Sequence, residues 1–259
     1  MGLSSTDYAL LMMIMALGTY FQTVTGFGLA MIVIGLSSGL GLGNIPLLAT
    51  VVSIITLANS AIALRHHHHH IQWRIFWVVL AAVLPASIIG VMLLDFLNHQ
   101  AKNLLALLLG LLIIYSGVIF SLKPQKKPSL DGSPRFFGFG FFAGLCGGLF
   151  GMPGPPIIFQ MYQQPLPLIA IRSMLLLIFA MTALIRTLYE AAASGLPHGT
   201  WLLTALSFPC VALATLGAQR FPPPVSAARM RIIVFGSLIL IGLGLVMQSL
   251  PFSPFMDIH

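Results

Sequence analysis

The stretch LCGGLFGMPGPPIIF, residues 145–159, decides how this chain is built. It is apolar enough to lie in a bilayer, yet Gly151-Met152-Pro153-Gly154-Pro155-Pro156 cannot run as continuous helix. Proline lacks the N–H that the helix ladder needs, and its ring clashes with the turn before it. Glycine admits turns that other residues resist. A helix interrupted at membrane depth frees N–H and C=O groups, which are tolerated only where protein or a polar cavity meets them. A second interruption lies near the start, at Thr25-Gly26-Phe27-Gly28 within QTVTGFGLAMIVIG, residues 22–35.

What surrounds the two breaks repeats in order. IPLLATVVSIITLANSAIALR (45–65) sets beside LPLIAIRSMLLLIFAMTALIR (166–186), with Pro46 on Pro167 and Arg65 on Arg186. A tryptophan opens the next segment in each half, Trp73 and Trp201. Such duplication is typical of secondary transporters. The chain therefore divides into a repeat over 1–122, a polar linker over 123–135 and a second repeat over 136–259.

Composition supports a bilayer as the solvent. Only 12 Lys+Arg and 5 Asp+Glu occur in 259 residues, and 58% of the chain is hydrophobic. A soluble domain carries about a quarter charged residues, so this chain cannot cover a water-facing surface. Eight apolar segments are expected, at about 7–36, 45–64, 75–94, 102–121, 136–163, 167–190, 200–218 and 231–250. The net charge of +7 does not point to nucleic acid, because the basic residues stand singly in short loops. Cys146 and Cys210 lie in apolar stretches and read as buried small side chains rather than a disulfide framework.

Charge also sets the topology. If every segment crossed once, the basic residues would split 7 to 5 between the two sides. If the segment over 136–163 instead folds back to the side it came from, one side holds all twelve except Lys102 and Arg186. The second arrangement obeys the positive-inside rule. It puts the linker in the cytoplasm and Asp95, Glu190 and Asp257 outside. The same fold-back in the first segment makes the two halves inverted. The expected fold is an all-α, polytopic bundle of eight segments in two inverted repeats, each opening with a broken or re-entrant helix.

Half-helix N-termini carry partial positive charge and unpaired N–H donors, which suits an anion. The candidate substrate-binding residues are accordingly Gln22, Thr25, Gly26, Phe27 and Gly28 at the first break, and Gly151, Met152, Pro153, Gly154 and Pro155 at the second. Asn59 lies mid-helix, where an unpaired amide in lipid is costly, and touches either substrate or a neighbouring helix. Arg172 and Ser173 open the sixth segment, where a guanidinium suits an oxyanion or anchors the helix at the headgroups. Gln160 is a secondary candidate. Thr182 is expected to bond its own backbone, and Arg186 to pair with Glu190 four residues on. The glycines at 144, 148 and 147, 151 also have spacing that suits close helix contact. The run His66–His70 has no carboxylate or cysteine beside it to complete a metal site. No H-E-x-x-H, G-x-S-x-G or P-loop occurs, so neither an enzyme, a metal nor a cofactor is expected.

Taken together, Gly26-Phe27-Gly28, the run Gly148–Pro156 and the Arg65…Trp73 and Arg186…Trp201 stretches resemble the sulfite exporter TauE/SafE family. The resemblance covers nearly the whole chain. It implies a multi-pass permease of the bacterial inner membrane that exports sulfite, sulfonates or related anions by alternating access. An anion or small-solute channel is the alternative. The partners implied are a small anion and the lipid bilayer; a proton or other coupling ion and a second copy in a homodimer stay open. Two features depart from the family pattern: Leu29-Ala30-Met31 stand where further Gly and Pro are common, and Pro153 stands where glycine is frequent.

Overall fold

The computed structural model describes residues 4–65, 71–121, 125–193, 195–196, 199–221, and 236, 239–240 and 242–247 of the last segment. Within these the chain is helical: α1 (Ser5–Thr25), α2 (Leu29–Gly39), α3 (Ile45–Leu64), α4 (Trp73–Gln100), α5 (Lys102–Ser121), α6 (Ser133–Phe150), α7 (Pro155–Tyr162), α8 (Leu168–Ala193) and α9 (Thr200–Arg220). Five of them, α1, α3, α4, α8 and α9, are long and apolar enough to cross a membrane. Most of the segment expected at 231–250 lies outside the described residues, as does His66–His70.

Both breaks fall where glycine and proline put them. Gly26 closes α1 with φ 87°, and its N–H donates to the Gln22 carbonyl at 2.6 Å. Gly151 closes α6 with φ 64°, and its N–H donates to the Gly147 carbonyl at 2.9 Å. Each is a left-handed C-cap, which glycine adopts without the Cβ penalty. After two or three residues the chain re-enters helix: α2 follows Gly28, and α7 follows Gly154 with Pro155 and Pro156 in its first turn. Proline is at home there, because first-turn N–H groups have no partner within the helix.

At each break the chain reverses. Gly18 of α1 packs on Leu29 and Val33 of α2. The end of α7 returns to the linker that precedes α6, where Gln160 and Gln164 donate to the Asp131 carboxylate at 2.7 and 2.8 Å. The Lys127 N–H donates to the Gln163 carbonyl at 2.8 Å, and Lys126 Nζ to Leu166 O at 3.1 Å.

The packing pairs elements across the halves. α4 lies along α6, α1 along α9, and α3 against α8. In the α4–α6 contact the glycines at 140, 144 and 148 sit directly on α4 backbone; a Cβ at Gly144 would stand 2.6 Å from the Val83 carbonyl oxygen, and one at Gly148 would overlap that of Ser87. Small residues let helices approach this closely in a membrane. α3 and α8 run antiparallel: Ser60 donates to Leu176 O at 3.1 Å, and Thr50 to Glu190 Oε2 at 2.6 Å.

Candidate functional site

The two breaks close on one cavity of about 20 Å3, room for about one water. From the first half it is lined by Gln22, Gly28, Ala30, Met31 and Thr56; from the second, by Gly151–Gly154, Ile158 and Phe179. α2 presents its first turn to this space, and the first N–H groups of a helix have no partner inside it. α7 offers less, because Pro155 and Pro156 carry no N–H. The most telling group is Gln22. Its side chain is 2% exposed and its Nε2 has no hydrogen-bond partner. An unmade hydrogen bond on a buried amide costs about 1–3 kcal/mol, so a buried donor facing a cavity marks a place for an acceptor.

Six of the candidate residues thus line one space: Gln22, Gly28, Gly151, Met152, Pro153 and Gly154. The others stand elsewhere. Thr25 Oγ1 lies 2.8 Å from Phe21 O and 2.9 Å from Phe27 O and holds the turn itself. Gly26 rests on Arg172, whose Cα would be 3.1 Å from a Cβ there. Phe27 is set edge-on between Phe21 and Tyr162, with ring centroids at 6.1 and 5.8 Å. Tyr162 donates to Thr25 O at 2.7 Å, so α7 stitches the first break closed. Pro155 begins α7 beside the cavity-lining loop. Asn59 Oδ1 accepts from Thr23 and Thr215, each at 3.0 Å, and ties α1, α3 and α9 together, while its Nδ2 has no partner. Gln160 is bound to Asp131 rather than turned to the break.

Arg172 and Ser173 belong to a second, larger cavity of about 550 Å3. It lies between the ends of α1, α3 and α9 and the start of α8, lined also by Thr23, Val24, Leu176 and Gln219. The start of α8 adjoins the linker through the Lys126–Leu166 bond, so this cavity is on the linker side. Arg172 Nε is buried without a partner.

On the opposite side a buried ion pair ties helices together. Arg186, fully buried, pairs with Glu190, and its Nη1 donates to the Gly148 carbonyl. Thr50 of α3 holds the other Glu190 oxygen. The expected Arg186–Glu190 pair is present, but it lies inside the bundle and not at an exposed helix end. There the guanidinium caps a carbonyl in the last turn of α6, where the helix dipole is negative. Thr182 bonds Ile178 O at 2.8 Å, as expected.

Sequence reasoning missed Thr56, Ala30, Met31 and Phe179 at the small cavity and Gln219 at the large one. Thr56 had a signal: it stands three residues before Asn59, on the same face of α3. Gln219 had none, because only the fold brings the end of α9 to α8. Among the described residues no cluster of metal-ligating side chains occurs.

A relative named "Probable sulfite/organosulfonate exporter TauE", from Cupriavidus necator, is 46% identical over 233 residues, which cover 90% of this chain and 91% of the relative. No solved structure matches the chain. The family model for the sulfite exporter TauE/SafE matches residues 10–245, from the first helix to the last described stretch and across both breaks. The chain, a multi-pass membrane protein, belongs to the sulfite exporter TauE/SafE family.

Proposed function

We propose that this protein is a secondary transporter that exports a small sulfur-containing oxyanion, sulfite or an organosulfonate, across the bacterial inner membrane. Its family consists of exporters and not enzymes. The observation that carries the reading is the unpartnered Gln22 amide, facing the cavity on which both breaks close. In this conformation the space admits about one water-sized atom; it widens as the repeats move, and the first-turn N–H groups of α2 and Gln22 Nε2 then hold the anion. An anion is attracted by a helix N-terminus without needing a full opposite charge.

The transport mechanism we infer is alternating access between two inverted repeats. Three observations support it. The breaks meet at a space of only about 20 Å3. The linker side holds a cavity of about 550 Å3, while on the far side Arg186, Glu190 and Thr50 bond α8 to α6 and α3. The pairing of α4 with α6 and of α1 with α9 exchanges equivalent elements between halves, as a two-fold relation requires. With the linker in the cytoplasm, this conformation faces inward. The repeats then rock about the breaks and release the anion outside.

Counterflow in proteoliposomes tests the proposal. Sulfite or a sulfonate on the far side of the membrane should accelerate tracer efflux. Flux without that acceleration would replace the carrier with a channel, and no flux of any sulfur oxyanion would overturn the reading.

A further inference from the structure

We propose that the cavity around Arg172 is a loading site, distinct from the cavity at the breaks, that selects organic monoanions with a short uncharged body. The inference rests on the transporter reading above and assigns the substrate class at its cytoplasmic entrance.

Size and lining carry it. The cavity is about 550 Å3, within the range of about 300–1,000 Å3 typical of small-molecule pockets. Arg172 supplies a charge that a guanidinium does not lose. None of the ion pairs among the described residues includes Arg172, and its buried Nε is unpartnered. No acidic residue lines the cavity among the described residues. Around the charge stand apolar side chains, Val24 of α1 and Ile169 and Leu176 on the same face of α8, with Thr23, Ser173 and Gln219 as uncharged polar groups.

Each feature selects. The guanidinium fork takes two oxygens of a sulfonate or carboxylate. The apolar wall covers a short carbon body, which an inorganic oxyanion does not have. A zwitterion such as taurine brings an ammonium that meets no carboxylate here and is repelled by Arg172. An alkanesulfonate such as ethanesulfonate satisfies every group and violates none.

The full-length protein in detergent, titrated by calorimetry with ethanesulfonate, taurine and sulfite, tests this. Ethanesulfonate should bind about tenfold or more tighter than taurine. Arg172→Gln should erase the difference, and Arg172→Lys, which keeps the charge but not the fork, should fall between. Ile169→Glu places a carboxylate three residues from Arg172 on one helix face and should move the preference toward taurine, a gain that misfolding cannot imitate. Equal or tighter taurine binding by the unmodified protein, or an unaltered preference in Arg172→Gln, would overturn the loading site. Counterflow separates this from the transporter reading: exchange without the preference sinks only the loading site, and the preference without exchange sinks only the transporter.

Discussion

Gln164 grips Asp131 from two directions. Its Nε2 donates to the carboxylate at 2.8 Å, and its Oε1 accepts the Asp131 backbone N–H at 3.0 Å. The first residue follows α7 and the second precedes α6, so this one pair fixes both ends of the broken segment to the same side of the bundle. Gln160, Lys127 and Arg135 complete the carboxylate's partners.

Asp131→Ala should therefore loosen the hairpin as a unit. It removes the carboxylate bonded by the buried Gln160 and Gln164 amides, leaving Gln164 Nε2 only its bond to Gln160 O, and hydrogen bonds to a charged group contribute about 1.5–3 kcal/mol each. A loss of about 2–4 kcal/mol is expected, read as a lower Tm in detergent. Burial pushes the Asp131 carboxyl up, but bonds from Lys127, Gln164, Arg135 and Gln160 outweigh it and hold the group well below the usual carboxylate range. A depressed folded-state value means that this stabilisation is complete above the unfolded carboxyl value of about 3.9. It disappears as pH falls from there through the folded value. Asp131→Asn should flatten that acid limb in a thermal-shift series.

Gln22→Leu should separate stability from function. The leucine removes a buried, unpartnered amide, a group that costs about 1–3 kcal/mol where it stands. Tm should hold or rise, while exchange falls by about tenfold or more, the equivalent of one lost hydrogen bond to the anion. Unchanged flux in a stable Gln22→Leu protein would remove Gln22 from the site.

Two glycines of α6 should behave oppositely. A Cβ at Gly148 overlaps the Ser87 carbonyl, with Gly90 Cα at 2.7 Å, so the clash is with α4 backbone and not with a flexible side-chain end. Gly148→Ala should cost about 3 kcal/mol or more, above the usual overpacking range of about 1–3 kcal/mol, and leave little monodisperse protein after extraction. Gly138, ten residues earlier on the same helix, has nothing within 4 Å. Gly138→Ala should gain about 0.5–1 kcal/mol from helix propensity alone, seen as a small rise in Tm.

What could be read in advance was what the chain encodes locally. Gly26 and Gly151 end helices through their own backbone freedom, and Pro155 and Pro156 restart one through theirs, so the breaks were legible. The fold-back of the second was legible from the loop charges, and the Asp131–Gln164 contact now accounts for it. The separation of Arg172 from the break cavity was not legible: both follow the same few residues of sequence, and only the packing of α8 against the ends of α1, α3 and α9 puts them in different spaces. Asn59 was ambiguous for the same reason, because Thr215 reaches it from 156 positions away. The spacing of Arg186 and Glu190 announced their pairing but not the burial of Arg186. Its burial depends on α6 ending beside it.

The Arg186–Glu190 pair gives the last test. Glu190→Gln leaves a fully buried guanidinium without its ion-pair partner, and breaking one side of a buried pair costs about 3–5 kcal/mol. Replacing both residues by apolar ones of similar size, Arg186→Met with Glu190→Leu, removes the charge and its penalty together. It should recover most of that stability, less the bond to the Gly148 carbonyl. If the pair merely fills space, the double variant should also exchange anions normally. If it holds the far side shut in the inward-facing state, the double variant should fold yet lose the tight closure between α3, α6 and α8. A cysteine at an outer position such as Gly43, in a background lacking Cys146 and Cys210, should then react faster with a membrane-impermeant thiol reagent than it does in the paired protein. Equal labelling rates with and without the pair would show that closure on that side does not depend on it.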